Sequence, residues 1–557
     1  MPDERKSGPN IPETYKPLER SAHPHLAESK AAGAVDAGEP ITVTLIVRRR
    51  PGAEPLHSLE YFQNTPRSQR KRLSHEEFAE AHGAAQAELD RVAEFARADG
   101  LEVVEAHRAR RSVVVRGTAA QVNKAFGVEL HRYELPRRRY RGFEGSVHLP
   151  ASISELVETV IGLDNRPVQA KRGPVRGKSA DPAGTTPLTP QQVAQLYDFP
   201  PGNGGGQTIG IYEMVADDEN GNPQNPGYTP SDLAATMKAF GGGLSVPTPT
   251  DVAVGGQTNA GVSDGETVLD ITVSSAVAQG AAIAVYFTGG TVQDIVNALQ
   301  TMIHPSAGDP VPSVISISYG WGPDDDTRFT TVSEYEQIDQ LFQDAAHLDI
   351  TVLVSSGDSG AMIESKKQAQ ASFPATDPWV IACGGTTIGG IKGSTFVEFV
   401  WNDKFGGNSG ATGGGISVRF PVPAYQSGLH IPTRINTGTA GRGIPDIAGN
   451  ASPNSGYAEF MGGSSVGPTG GTSAVAPLYA GMMALINESL GSPAGYINPL
   501  LYSLAGSAFR DTLGAPGPLN NSFDGVTGYP ANAGWDACTG LGSLNGTALL
   551  KALESAK

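Results

Sequence analysis

The sequence predicts an α/β protein in two parts, a small α+β domain followed by a larger domain on a parallel sheet with helices on both faces. Three observations carry this. From Leu188 onward, short apolar runs alternate with helical stretches, the order that a parallel sheet with crossover helices produces. Before residue 165 strands and helices interleave as in a split βαβ sandwich. Composition also changes near residue 178: residues 1–178 hold 13 glycines and a net charge of +5, whereas the remainder holds 57 glycines and a net −21. With 557 residues the chain exceeds what one core serves, so two or more domains are expected.

Residues 1–40 are polar and aperiodic and are expected to be disordered. Ile41–Arg50 alternates as a strand. Ser74 and Glu77 form a capping box that opens a helix expected to run to Ala98, where Asp99-Gly100 stops it. Two strands (Leu101–His107, Ser112–Arg116), a helix (Ala119–Phe126), strands near Val128–Arg132 and Gly145–His148, and a helix at Ile153–Ile161 complete a ferredoxin-like domain over 41–164. Residues 165–187 hold Arg166, Lys171, Arg172, Arg176 and Lys178 among Gly, Pro, Ser and Thr and read as a protease-accessible linker. In the second part, strands are expected at Thr208–Tyr212, Ile283–Phe287, Val314–Ser318, Thr351–Ser355 and Val380–Ala382. Helices are expected at Asp232–Phe240, Glu266–Ala278, Val292–Ile303, Val332–Ala346 and Ala474–Ile486.

Composition also narrows the function. The acidic excess of 179–557 repels itself at neutral pH and is relieved as carboxylates protonate, which reads as adaptation to acid; a solubility surface is the alternative. The basic linker lacks interleaved aromatics, so nucleic acid is not an expected partner. No apolar run is long enough to span a membrane, and no standard secretory signal is visible at the N-terminus. Cys383 and Cys538 exclude a disulfide scaffold and leave one bond or two buried thiols open.

Three motifs can carry chemistry. Gly470-Gly471-Thr472-Ser473-Ala474-Val475-Ala476-Pro477 puts a serine at the start of a long apolar helix, where unpaired backbone N–H groups favour a nucleophile, or merely a helix cap. A serine nucleophile needs a base. Only His304, His347 and His430 follow residue 178; none sits in a triad-like turn, and His304 and His347 have the contexts of capping or surface residues. Carboxylates are the alternative: in Asp264-Gly265-Glu266-Thr267-Val268-Leu269-Asp270, Glu266 and Asp270 lie on one helix face, where they either meet water or share a proton. Third, the apolar strand Val352-Leu353-Val354-Ser355 ends in Ser356-Gly357-Asp358-Ser359-Gly360, which places Asp358 at the crevice of a parallel sheet or in a plain turn.

Together these motifs resemble the sedolisins, or serine-carboxyl peptidases, of the kumamolisin type, over nearly the whole chain. The resemblance implies a subtilisin-like catalytic domain (179–557) behind a prosegment (1–178) that acts as intramolecular inhibitor and chaperone. It implies an acid-active endopeptidase, secreted, monomeric and acting on polypeptides. Ser473 matches the nucleophile, Glu266 the base, Asp270 the carboxylate orienting it, Asp358 the oxyanion-hole acid and Glu213 of Ile211-Tyr212-Glu213 a further carboxylate of the network. One calcium ion is implied near the C-terminus, held by Asp511 and Asp536 and by carbonyls of Thr512, Asn532 and Gly534. A Glu near its reference pKa of about 4.3 is a base only in acid. Self-processing is expected between Lys171 and Thr186, near Ala180. Three positions depart from the family pattern: Tyr319 stands where a tryptophan is usual, Ser372 where an acidic residue is usual, and Phe460–Thr469 reads as a longer, freer loop. A tripeptidyl-peptidase of the same family and a non-catalytic calcium-binding domain are the rival readings.

Overall fold

The computed structural model describes residues 11–22, 26, 29–135, 138–168, 175–176, 187–217, 222–322, 331–363, 368–403, 410–512 and 519–556. The expected processing region between Lys171 and Thr186, with Ala180, therefore lies outside the described residues except for Val175 and Arg176.

The larger domain is organised on a ten-stranded sheet. Its order is Thr250–Ala253, Ala282–Thr288, Thr208–Met214, Val314–Ile317, Thr351–Ser355, Ile381–Lys392, Ile447–Asn450, Ser543–Leu544 and Phe509–Arg510, with Thr395–Val400 pairing Ile381–Lys392. Only the pairings of Phe509–Arg510 and Thr395–Val400 are antiparallel. The central strands are buried along their length, as a sheet covered on both faces requires. Strand order reverses between Thr208–Met214 and Val314–Ile317, so a crevice opens at their carboxyl ends. Two helices pack together behind it: Gly265–Val277, buried through Ala276, and Val475–Leu490.

The smaller domain has its own core and a four-stranded antiparallel sheet in the order Glu102–His107, Ser112–Thr118, Pro40–Val47, Val157–Ile161, which is the split βαβ order. Three expectations are corrected there. The helix opened by Ser74 breaks at Gly83 into His75–His82 and Gln86–Ala98: a Cβ on Gly83 would lie 2.5 Å from the Ala79 carbonyl and 2.8 Å from that of Arg108. The helix expected over Ile153–Ile161 is one turn, Ala151–Ser154; β-branched Val157, Val160 and Ile161 instead form an edge strand against Pro40–Val47. Within the stretch expected to be disordered, Tyr15–Pro17 and Lys30–Ala34 are strands, paired with His148–Pro150 and His131–Leu135.

The small domain docks on the helices Val292–Ile303 and Val332–His347. Phe62 inserts edge-on among Trp379, Tyr496 and His347, at centroid distances of 5.7, 5.3 and 5.1 Å, and joins the core of the large domain. Arg49 pairs with Asp344 at 2.6 Å. Arg111, 2 % exposed, donates to Glu158 within its own domain (2.6 Å) and to Gln337 and Gln340 across the interface (3.1 and 2.7 Å). Arg166, read as part of an exposed linker, is buried and paired with Asp164, and Val168 N–H donates to the Gly290 carbonyl (2.9 Å). The linker proper thus begins after residue 168.

Arg111→Ala should strip Glu158 and the two interface acceptors Gln337 and Gln340 of one buried cation and destabilise the full-length chain by about 3 kcal/mol. Thermal unfolding at neutral pH measures this, and an unchanged melting temperature would mean Arg111 contributes nothing to docking.

Candidate active site

The nucleophile turn is shaped by glycine. Gly471 has φ +105°, and a Cβ there would meet the Asp358 carboxyl at 2.7 Å. That close approach lets Thr472 grip Asp358, its N–H and hydroxyl donating to Asp358 Oδ1 at 2.7 and 2.9 Å, while Gly357 N–H donates to the Thr472 hydroxyl at 3.0 Å. Ser473 follows in a 3₁₀ turn, Thr472–Ala474, before the long helix. Its side chain makes no cap bond, so the helix-cap alternative does not describe it. The Ser473 side chain instead lies beside Glu266, close enough to pull against the burial of that carboxyl.

Glu266 and Asp270 project from the helix that Asp264 caps, Asp264 Oδ1 accepting from Thr267 N–H at 3.1 Å. Both are buried, at 2 % and 0 % exposure, so the water-facing alternative does not hold. Burial is the main force that pushes both carboxyls well above their ordinary range. At Glu266 the Ser473 side chain opposes this, while the charges of Glu213, Asp358 and Asp264 add to it. At Asp270 the charges of Glu266 and Glu213 add to burial, against the Ser318 hydrogen bond. Glu266 Oε1 and Asp270 Oδ1 are buried and accept no hydrogen bond among the described residues. Two carboxyls one helical turn apart, both buried and both shifted upward, disfavour ionising together, which agrees with the proton-sharing alternative and not with a Glu at its reference value.

Glu213 ends the strand Thr208–Met214, across the switch point from Tyr319. Its Oε2 accepts from the Tyr319 hydroxyl (2.7 Å) and the Thr267 hydroxyl (3.0 Å). Tyrosine therefore serves Glu213 directly at the position where tryptophan is usual. Two hydroxyls that the motif reading overlooked complete the network. The same Thr267 hydroxyl lies 2.7 Å from Asp264 Oδ2, so its one hydrogen serves Asp264 and Glu213 between them, and Ser318 donates to Asp270 Oδ2 at 2.7 Å while lying 3.3 Å from the Ser473 carbonyl. Both lie inside motifs already singled out, but hydroxyl residues are too common for spacing to mark them. His304 and His347 are not at this site; both are buried under the small domain.

The loop expected at Phe460–Thr469 is a hairpin, Tyr457–Met461 with Ser464–Gly470. Gly462 and Gly463, both at positive φ, turn it, and their N–H groups donate to Asp232 at 3.1 and 3.0 Å. Linker residues Val175 and Arg176 pair antiparallel with Gly470 and Thr469, just upstream of Ser473. Ser372 is partly buried beside Gly320, and Cys383 and Cys538 are separate buried thiols.

Near the C-terminus, Asp511 Oδ2 accepts from Gly534 N–H at 2.7 Å, and Asp536 accepts from the N–H groups of Asn532, Cys538 and Thr539 at 3.2, 2.9 and 2.8 Å. Burial first, with the Asp511 charge contributing, pushes Asp536 up to about 6. Asp511 and Asp536 come from two segments, near enough for the Asp511 charge to act on Asp536, and carboxylates are the donor type a hard divalent cation takes. Among the described residues no group of three or more His, Cys, Asp or Glu is placed to hold a metal.

Comparison with known proteins agrees with this architecture. Residues 27–166 match the family model described as Pro-kumamolisin, activation domain, and residues 250–499 that of the Subtilase family. The chain is 40 % identical to Kumamolisin of Bacillus sp. (strain MN-32) over 549 residues, 95 % of each chain. It is 31 % identical over 585 residues to Tripeptidyl-peptidase sed5 of Aspergillus fumigatus, covering 97 % of each. The structure of Pseudomonas sedolisin, a serine-carboxyl proteinase complexed with two molecules of pseudo-iodotyrostatin, superposes with a TM-score of 0.54 at 26 % identity, covering 67 % of this chain and 99 % of that one.

Buried carboxyls also set how stability depends on pH. Glu459 rises from 4.5 to about 8 by burial, and Asp339 from 3.8 to about 6, also mainly by burial. A group whose pKa is higher folded than unfolded stabilises fully below its unfolded value, and that stability disappears as pH rises through the folded value. The large domain freed of residues 1–178 should therefore lose melting temperature steadily between pH 4 and pH 8. Calorimetry across that range tests it; a maximum at pH 7 would contradict it.

Proposed function

Because the chain belongs to the sedolisin family of serine-carboxyl peptidases, we propose that it is an acid-active endopeptidase, made as a self-processing precursor and working outside the cell on polypeptides. The observation that carries this reading is Ser473 set beside buried Glu266, one helical turn from Asp270, with Asp358 fixed on the same nucleophile turn. In this reading Ser473 Oγ attacks the scissile carbonyl and passes its proton to Glu266, which is free to accept it because Asp270 holds the pair's other proton. Asp358, partly exposed at the crevice, gives a hydrogen bond to the developing oxyanion. A carboxyl group donates only when protonated, so this step calls for acid. The proton then moves from Glu266 to the leaving amine, and water releases the acyl group by the same route. Glu213, Ser318, Thr267 and Tyr319 position these groups through the network described above.

Val175 and Arg176 of the linker pair with Gly470 and Thr469, just upstream of Ser473, which supports the prosegment's action as the enzyme's own inhibitor. A tripeptidyl-peptidase is the second reading, favoured by the full-length likeness to Tripeptidyl-peptidase sed5. Fragment lengths from an unstructured protein separate the two, since an exopeptidase of that kind releases only tripeptides.

Ser473→Ala should give an intact, folded precursor, within about 1 kcal/mol of the parent because no cap bond is lost, with no proteolysis at any pH. Digestion by this variant would remove Ser473 from the mechanism. At position 358, Asn can keep its carbonyl on Thr472 and turn its amide toward the crevice without needing a proton. Asp358→Asn should therefore retain more activity than Asp358→Ala, which should lose roughly 100- to 1,000-fold in kcat. Equal losses would show that the acid itself is required.

We also propose that Asp511 and Asp536, with carbonyls of Thr512, Asn532 and Gly534, hold one calcium ion, whose charge offsets their repulsion. Excess chelator should then lower the melting temperature and activity together, with calcium restoring both. An unchanged melting temperature in chelator, with metal analysis showing none bound, would discard the site.

A further inference from the structure

Among the contacts of the helix Val332–His347 with the prosegment is one histidine whose two ring nitrogens are both committed. His347 Nδ1 lies 2.8 Å from the Gln343 carbonyl, which can only accept, so Nδ1 carries the hydrogen. His347 Nε2 accepts from the backbone N–H of His57 in the prosegment at 2.9 Å, so it is unprotonated. Gln343 Nε2 in turn donates to the His57 carbonyl at 3.1 Å, and the same two residues thereby clamp both polar groups of the His57 backbone. The surroundings favour the neutral ring. His57 stacks on His347 at 5.7 Å, Phe62 meets it edge-on at 5.1 Å, and His82 and Trp379 each lie at 6.4 Å. The nearest carboxylate, Asp344 on the preceding turn, is already engaged by Arg49 at 2.6 Å and by His304 at 3.0 Å.

We propose that His347 is an acid latch: its neutral ring holds the prosegment through the His57 backbone, and protonation of Nε2 sets a donor against a donor and releases it. This rests on the reading of the chain as an acid-matured precursor and adds the group that senses the acid. Burial first, then the neighbouring His57 and His82, lowers His347 from 6.5 to about 4, against the pull of the Gln343 carbonyl and Asp344. Once undocked, His347 loses His57, Phe62 and His82 as neighbours and returns toward its ordinary value. The docked form binds fewer protons, so docking weakens as pH falls from 6.5 and is weakest below about 4, by about 300-fold if the full difference is realised.

The test uses the full-length Ser473→Ala chain, in which opening is read apart from cleavage. Hydrogen exchange across the Val332–His347 helix, followed from pH 7 to pH 3, gives the midpoint of opening. Glutamine accepts the His57 N–H but does not titrate, so His347→Gln in the same background should lower that midpoint by one pH unit or more. An unchanged midpoint overturns the latch. NMR titration of the histidine rings in the Ser473→Ala chain with His347 intact is independent of how well the Gln variant folds: His347 should titrate well below 6.5, and a titration at 6.5 also overturns the proposal. Acid opening that depends on His347, followed by no cleavage in the chain with Ser473 intact, would leave the latch standing and sink the self-processing reading.

Discussion

The site depends on how much negative charge the carboxyl end of a parallel sheet can bury. Glu213, Asp264, Glu266, Asp270 and Asp358 converge on one serine, and their immediate donors are hydroxyl and backbone N–H groups from Thr267, Ser318, Tyr319 and Thr472. Full ionisation of such a group is far too costly, since each added charge raises the next carboxyl. Protons must be retained, and where they sit defines the chemistry. Ser318 donates to Asp270 Oδ2, while Asp270 Oδ1 accepts no hydrogen bond among the described residues. Protonated and ionised carboxyls can thus coexist among residues of one chemical type, with His304 and His347 lying elsewhere under the small domain.

The elements that frame this arrangement were legible because burial writes itself into a sequence. Strands such as Val314–Ile317 and Thr351–Ser355 are unbroken apolar runs, and a helix buried all round has few alternatives once it carries Asp264 as its cap. What was not legible depended on contacts remote in sequence. The break at Gly83 follows from the Arg108 carbonyl, and the strand Val157–Ile161 exists because Pro40–Val47 offers an edge. The Gly-rich turn at 462–463 is held by Asp232, more than 200 residues earlier. His304 and His347 have ordinary helix-end contexts, and only the docked prosegment turns them into buried interface residues. Local pattern poses the choice between water and a shared proton without deciding it, because burial by remote elements sets how far Glu266 is raised.

Two opposite responses to pH coexist in one chain. Carboxyls buried in the large domain, among them Glu459, favour the folded state more strongly as pH falls. The neutral histidines under the small domain act in the other sense, since His347 and His82 are held below their ordinary values by burial. A descent in pH therefore tightens the large domain while loosening its contact with the small one. Net charge contributes in the same direction: as carboxylates protonate, the attraction between a segment of +5 and a body of −21 fades. The two halves can separate without the catalytic half paying for it in stability.

Where the chain passes the site, the path constrains what separation must break. Val175 and Arg176 add as a strand to Gly470 and Thr469 on one edge of the hairpin, and Leu188 N–H donates to the Gly456 carbonyl at the hairpin's other edge. Cleavage between these two attachments leaves Leu188 anchored to the large domain and converts Val175–Arg176 from an intramolecular strand into the end of a separate chain. Pairing through backbone groups alone reads no side chain, so the same edge can accept an extended segment of another polypeptide in that register. The linker's hold on the edge comes from being tethered, and its effective concentration falls once the tether is cut. Rebinding of the released prosegment then depends on the docking surface around Phe62 and His347, which weakens as pH falls.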